Sequence, residues 1–375
     1  MGGGLIQLVA YGSQDMYLTG NPQITFFKVV YRRHTNFAME AISQTFEGNV
    51  ESGCQVSATL ARNGDLIHRV YLEITTTGDV DTEVLSNAFA LIDHVDLEIG
   101  GQLIDRHYGQ WMAMWCELTH DTGKNELLSD MIRVNGGKTA WVPLQFSFCR
   151  NPGLSLPLIA LQYHEVKINI KFSSTIPSAW NYMLWTDYIY LDSDERRKFA
   201  QSSHEYLIEQ VQNLRGNCVR ETGKDTKIPL YFNHPVKELF WLVADSDKWE
   251  YNSVSTKWTE NPFTGKMLIR LNGHERFASR DEVYFRDVQK YQHHTGGAYT
   301  TPYGSSDGNN FWLYSFALNP EQHQPSGTCN FSKLDNASLE VRLDPLATQK
   351  ELDVYAMNYN VLRIMSGMGG LAFSN

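Results

Sequence analysis

The residues best able to do chemistry fall in a few clusters, and none of them completes a catalytic set. His204-Glu205-Tyr206-Leu207-Ile208-Glu209 begins like the histidine-glutamate pair of a zinc-protease helix. That chemistry needs a second histidine four residues after the first, so that two imidazoles share one helical face. The position is Ile208, so a ligand is missing. His293-His294 offers two imidazoles, but adjacent side chains point in different directions and no acidic residue stands at ligand spacing, so a solvated loop is expected. No histidine-x-histidine pair with a following glutamate marks a cupin-type metal site in an alternating strand pair. Asp192, Asp194 and Glu195 beside Arg196-Arg197-Lys198 set opposite charges at helix-turn spacing, as a solvated connector with weak ion pairs does. The chain is expected to have no catalytic residues, no metal and no cofactor.

Other residues point to surfaces rather than to reactions. Nine tryptophans invite a sugar-stacking role, but Trp111, Trp115, Trp141, Trp180, Trp185, Trp241 and Trp312 are spread along the chain as core and interface anchors are. Trp249 and Trp258 are the loop candidates for stacking. Asn330-Phe331-Ser332 and Asn336-Ala337-Ser338 fit the N-glycosylation pattern, making Asn330 and Asn336 candidate glycan sites. No stretch reads as a signal peptide, so both are expected to stay unmodified by the secretory machinery. The five cysteines are odd in number and free of any CxxC, as free thiols in a reducing compartment are. A formal charge of −10, from 32 basic and 42 acidic residues, disfavours direct nucleic-acid binding, which draws its affinity from clustered Lys and Arg. The longest uncharged apolar run, Leu154 to Leu161, is too short to span a bilayer and contains Pro157.

The elements that must position these residues are mostly strands. Val95 to Ile99, Val166 to Phe172 and Leu339 to Leu343 alternate apolar and polar residues, which predicts half-buried antiparallel strands. Asn63-Gly64, Gly100-Gly101 and Asn272-Gly273 supply residues that tolerate positive φ, as tight hairpins require. Trp111, Met114, Trp115 and Leu118 recur at three- and four-residue spacing and predict a helix over Gln110 to Thr119. A shorter helical turn is predicted over Ser193 to Gln201, opened by Ser193. Little other helix is expected.

A weak internal repeat sets the architecture. Ser147-Phe148-Cys149-Arg150-Asn151-Pro152 and Ser315-Phe316-Ala317-Leu318-Asn319-Pro320 share a pattern at an offset of 168. The turns at Gly100-Gly101 and Asn272-Gly273 lie 172 apart, and Glu165-Val166 and Glu340-Val341 lie 175 apart. At 375 residues the chain exceeds the roughly 250–300 residues at which single cores stop growing. Each half has room for a sandwich, and the period is too long for a propeller blade. The expected fold is all-β: two tandem eight-stranded jelly rolls with short connecting helices. The expected divisions are an arm over 1–25, a first jelly roll over 26–212, a linker over 213–223 and a second jelly roll over 224–375. The segments Asp121 to Lys138 and Gln289 to Asn310 are expected as long excursions from one end of the sandwiches.

Gly20-Asn21-Pro22-Gln23-Ile24-Thr25-Phe26-Phe27-Lys28, followed by Val30-Tyr31-Arg32-Arg33, resembles the N-terminal signature of the major capsid proteins of large icosahedral double-stranded DNA viruses, closest to the algal phycodnavirus type of the nucleocytoplasmic large DNA viruses. The resemblance continues through Glu98 to Gln102, Pro152 to Val166, His204 to Gln210, Pro325 to Phe331 and Asn358 to Leu371. Asp245 to Lys266 and Gln289 to Asn310 are compact beside other members. The resemblance implies a double jelly roll and a structural, non-enzymatic role. It implies a homotrimer with a near-hexagonal outline that tiles the outer shell of the virion, assembled in the host cytoplasm. The implied partners are further copies of the chain, neighbouring capsomers and minor capsid proteins beneath the shell. Proximity to an internal membrane, without insertion, is also implied. The glycine-containing arm, with Leu5, Tyr11, Tyr17 and Pro22, is expected to be ordered by such partners. The competing reading is a soluble carbohydrate-binding jelly-roll protein.

Overall fold

The computed structural model describes every residue except 1–2, 11, 77–86, 134–138, 175, 177–179, 220–222, 245–262, 264, 297–310, 343–349 and 375. Two compact units are present, Met1–Asn36 and Phe37–Asn375. The first has a helix over Gly3–Val9 and a single helical turn over Met16–Thr19. Its apolar side chains, among them Leu8, Tyr17, Phe26 and Phe27, are exposed, so it has no core among its described residues.

The second unit is built from strands. Its first half contributes β1 (Phe37–Gln44), β2 (Gln55–Thr59), β3 (Leu66–Thr75), β4 (Ile92–Ile99), β5 (Gln102–Tyr108), β6 (Thr139–Pro143), β7 (Leu156–Pro157), β8 (Val166–Phe172) and β9 (Asn181–Leu191). Its second half contributes β10 (His204–Val219), β11 (Asp225–Pro229), β12 (Pro235–Ala244), β13 (Lys266–Leu271), β14 (His274–Glu275), β15 (Arg280–Asp281), β16 (Phe311–Ser315), β17 (Cys329–Asn330), β18 (Ala337–Arg342), β19 (Lys350–Met365) and β20 (Met368–Leu371). The first half pairs its strands as β1-β9-β3-β6 and β2-β8-β4-β5; the second as β10-β19-β12-β16 and β11-β18-β13-β14. Substituting each strand by its counterpart makes the two orders coincide. The fold is all-β, two tandem jelly rolls of eight principal strands.

Two of the three predicted hairpins form. Gly100 and Gly101 (φ 57° and 83°) turn β4 into β5, and Asn272 and Gly273 (φ 50° and 80°) turn β13 into β14. Left-handed conformation at both central residues matches the twist of the flanking strands. Asn63-Gly64 does not close a hairpin, because β2 and β3 belong to different sheets. Gly64 answers another need: a Cβ there would stand 2.8 Å from Cβ of Tyr188.

The repeat is real, but one of its landmarks was out of register. Before the hairpin turns, Ile99 pairs with Val166 and Leu271 pairs with Ala337. Val166 therefore corresponds to Ala337, not to Val341. The shared Ser-Phe pattern also differs locally: Ser147–Arg150 is a helical turn, whereas Ser315 ends β16. Residues 213–219, expected as linker, are the second part of β10, paired with β19 up to Val219↔Lys350. The Asn and Gly content there marks a bulge between Leu214 and Asn217, where Gly216 adopts φ 71° and donates its N–H to Oδ1 of Asp353 at 3.0 Å.

Helices are few but exceed the expectation. Gly109–Thr119 forms as predicted, one residue longer. Ser193–Gln201 also forms, capped by Asp192 rather than opened by Ser193. Thr122–Ile132, expected as loop, is a helix whose N-cap Asp121 accepts from the Lys124 N–H at 2.8 Å. Tyr284–Val288 winds as a π-helix into Gln289–His293, so the second excursion also starts helical.

The halves share a core. Phe240, Leu242, Phe311, Leu313, Tyr355 and Met357 join one apolar cluster with the first jelly roll. Their strand neighbours Leu239, Trp241, Trp312, Tyr314, Val354 and Ala356 fill the second jelly roll itself. The sheet β10-β19-β12-β16 is thus covered on both faces, and all five residues of β16 are buried, where alternation alone predicts half-burial. Replacing the buried Phe240 by alanine should cost about 3–5 kcal/mol in urea titrations. Because its ring belongs to the first jelly roll's cluster as well, fluorescence from Trp111 and Trp115 should report the same transition. A separate, earlier transition for the second half of the wild-type chain would contradict a shared core.

Candidate structural site: the seam between the jelly rolls

The seam holds a group of buried charges. In β12 the pairing with β19 slips between Val236 and Glu238, leaving Lys237 as an extra, bulged residue. A bulge lets consecutive side chains serve the same region, and here both Lys237 and Glu238 are fully buried. The Lys237 ammonium donates to Oε1 of Glu209 at 2.6 Å and to the Pro320 carbonyl at 2.6 Å, and lies 5.4 Å from the Trp115 ring centroid. Glu209, on β10, also pairs through Oε2 with Nη1 of Arg150 at 2.8 Å, while the Arg150 guanidinium lies over Trp115 at 5.1 Å. Burial pushes the Glu209 carboxyl up, but Arg150 and Lys237 outweigh it and hold it below the ordinary carboxylate value. Burial pushes Lys237 down, with Glu209 opposing.

A second set meets the same indole from the side. His294 bridges Oε1 of Glu238 at 2.9 Å through Nε2 and Oε1 of Glu321 at 3.0 Å through Nδ1. Its ring stands edge-on to Trp115, with centroids 6.5 Å apart. Thr295 donates both its backbone N–H and its hydroxyl to Glu321. Trp115 in turn stacks on Trp111 at 5.8 Å, and His107 packs between Trp111 and Phe146. The chemistry available is electrostatic fastening: charges from both halves neutralise one another around two stacked indoles in a water-poor seam.

Several predicted residues take other roles. His294, expected in a solvated loop, is buried in this cluster; Glu238 lies on a separate strand, so sequence spacing could not reveal the pair. His293 faces the Leu318 carbonyl at 3.0 Å. His204 begins a strand, not a helix, and contacts the Phe199 carbonyl at 2.8 Å. Asp192 caps its helix through the Ser193 N–H, and Lys198 pairs with Glu195 at 3.2 Å. Arg196 is more than a solvated charge: it reaches the buried Asp65 at 2.9 Å. Cys54, Cys116, Cys149 and Cys329 are free thiols, and burial pushes Cys116 and Cys149 up to about 12. Asn330 and Asn336 are exposed, but Oδ1 of Asn330 is engaged by the Ser332 N–H at 3.0 Å. In the arm, Leu5 lies in the first helix, Tyr17 in the second, and Pro22 follows Asn21 at φ 55°. Tyr11, Trp249 and Trp258 lie outside the described residues.

Burial opposes protonation of His294, but Glu238 and Glu321 outweigh it and raise its pKa from 6.5 to about 9. A raised histidine stabilises fully below its unfolded value and loses that contribution as pH climbs through the folded one. The advantage of the wild type over His294→Gln in urea unfolding should therefore shrink by about 3 kcal/mol between pH 6 and pH 10. The difference is the quantity to read, because buried Lys290, lowered to about 8, titrates in the opposite sense. A constant difference across that window would contradict the bridge.

Comparison with known proteins agrees with this geometry. The family described as Major capsid protein N-terminus matches residues 25–192, and that described as Large eukaryotic DNA virus major capsid protein matches residues 195–370. The chain is 49% identical to the major capsid protein of Pyramimonas orientalis virus and 41% identical to that of Paramecium bursaria Chlorella virus 1, with 100% of each chain covered in both cases. Among solved structures, the crystal structure of PBCV-1 VP54 superposes with a TM-score of 0.80 at 37% identity, over 94% of this chain and 100% of that one. The Faustovirus major capsid protein, at 11% identity, shares the fold with a TM-score of 0.71 over 95% of this chain and 94% of its own. Two adjoining family matches and full-length relatives well above 30% identity establish that the chain belongs to the major capsid protein family of large eukaryotic DNA viruses.

Proposed function

We propose that the chain is a structural protein, not an enzyme, whose activity is assembly: three copies close into a pseudo-hexagonal capsomer that tiles the icosahedral outer shell of the virion. The observation that carries this reading is the identity of strand order in the two halves. Three copies of two like barrels present six like lobes, and a six-lobed block packs edge to edge on a flat facet. Within the capsomer each chain meets the next through a heterologous contact closed by threefold rotation, which must be large and apolar to be obligate. The outer face of the β9-β3-β6 sheet supports such a contact: Trp141 lies 6.4 Å from Tyr71 and 6.0 Å from Trp185, and all three are only half-buried. Aromatic residues of this kind are enriched in interface cores.

Contacts between capsomers are smaller and more polar, so that misplaced units can dissociate before the shell closes. The arm over 1–25, with Leu5, Tyr11, Tyr17 and Pro22, is ordered by neighbouring capsomers or minor capsid proteins beneath the shell. An internal membrane lies close by without being entered; no helix among the described residues is long and apolar enough to cross one. The jelly rolls carry no DNA directly, in keeping with the net charge of −10.

Native mass spectrometry at micromolar concentration should show a trimer; a stable monomer alone would overturn the reading. Removing residues 1–25 should leave that trimer intact while weakening lattice formation seen by electron microscopy, and loss of the trimer would refute the role given to the arm.

A further inference from the structure

Strand β1 stands at the edge of its sheet, paired with β9 on one side and with no strand on the other among the described residues. Natural edge strands are commonly protected by a bulge, a proline, a lysine or a cover, because their free N–H and C=O groups can pair with another chain. β1 has none of the first three: its eight residues hold register with β9 without a shift and carry one charge, Glu40. Phe37 to Ala41 are all exposed, Phe37 at 56% and Met39 at 48%. Ser43 lies opposite Trp185, so Phe37 and Met39, on the same face by alternation, carry the aromatic face of this sheet out to its edge.

A matching segment lies just upstream. Residues 26–33 are also eight in number, and five of them, Phe26, Phe27, Val29, Val30 and Tyr31, are aromatic or β-branched types that favour strands. The segment nevertheless belongs to no helix or strand, and each of those five side chains is at least 77% exposed. A continuous exposed apolar run of this kind marks an interaction surface. Charge narrows the partner: no acidic residue stands between Asp15 and Glu40, and Lys28, Arg32 and Arg33 make the segment basic in a chain whose total is −10. An acidic copy of the same chain therefore attracts it. An anionic lipid surface would satisfy the charge but not the backbone of an extended segment, whereas a sheet edge satisfies both.

We infer that residues 26–33 of one chain pair along the free edge of β1 in the next, adding a strand to that sheet. The inference rests on the capsomer proposed above and names a contact within it. Each chain donates one segment and receives one, so the exchange closes under the same threefold rotation as the rest of the interface. The added strand sets its aromatic and β-branched side chains beside Phe37 and Met39, where cross-strand pairs of these types are favourable.

Photo-cross-linking of the full chain with p-benzoylphenylalanine in place of Phe27 tests the pairing. Irradiation should give a covalent dimer on denaturing gels, with the new bond mapped by mass spectrometry to β1 or to β9 beside it. Val30→Pro removes a ladder N–H from the segment while leaving the barrels untouched, and amides of Phe37–Gln44 should then exchange hydrogen about tenfold faster or more than in the wild-type assembly. A cross-link within one chain, a dimer joined elsewhere, no cross-link, or unchanged exchange of β1 in Val30→Pro would overturn the inference. So would cross-linking only to lipid when phosphatidylserine vesicles are added, which would give the segment a membrane partner instead. Native mass spectrometry of the same samples separates the two readings: a trimer without the cross-link overturns the strand exchange alone, whereas a stable monomer overturns the capsomer and the exchange together.

Discussion

One sheet must be apolar on both faces, and much of the molecule follows from that constraint. The β10-β19-β12-β16 sheet gives one set of side chains to its own barrel and the alternate set to the other. A sheet of this kind has no solvent face on which to leave a charge, so any charge within it must find an opposite partner or destabilise the whole. Lys237 and Glu238 meet that demand with Glu209 and His294, and the bulge in β12 is what brings two consecutive side chains to their partners. The stacked tryptophans of the helix Gly109–Thr119 then fill the space around these charges and keep water away from them.

A seam of this type fixes the angle between the barrels. A flexible tether would let the two like barrels adopt many relative orientations. Here continuous packing does what a tether could not, and Phe37–Asn375 behaves as one compact unit. β10 contributes directly: paired with β19 from His204 onwards, it also donates from the Gln210 side-chain amide to the Ile104 carbonyl and from the Val211 N–H to Oδ1 of Asp105, both in β5.

The fold was legible because hairpin chemistry and repetition are local signals. Gly100-Gly101 and Asn272-Gly273 announce the same turn in both halves, and the tryptophan spacing announces the helix that fills the seam. The shared core was not legible from alternation. Its signal was the opposite pattern, the unbroken apolar runs Leu239 to Val243 and Phe311 to Tyr314, which a strand shows when neither face meets water. The charge cluster also left a trace, since Lys237-Glu238 interrupts an otherwise apolar strand. Its partners Glu209, His294 and Glu321 come from distant segments, and only the closed topology brings them together. Gly216 misled because glycine beside asparagine signals a linker and a bulge equally well.

The place of β19 in the sheet has a consequence for biosynthesis. This strand of 16 residues lies between β10 and β12 although it is made after both. While the ribosome is still working, β10 and β12 are complete but lack the strand that joins them, so each presents an unpaired edge. A nascent chain in that condition is sticky. At the high copy number a shell requires, the cell's holding chaperones would carry the load until β19 slides home.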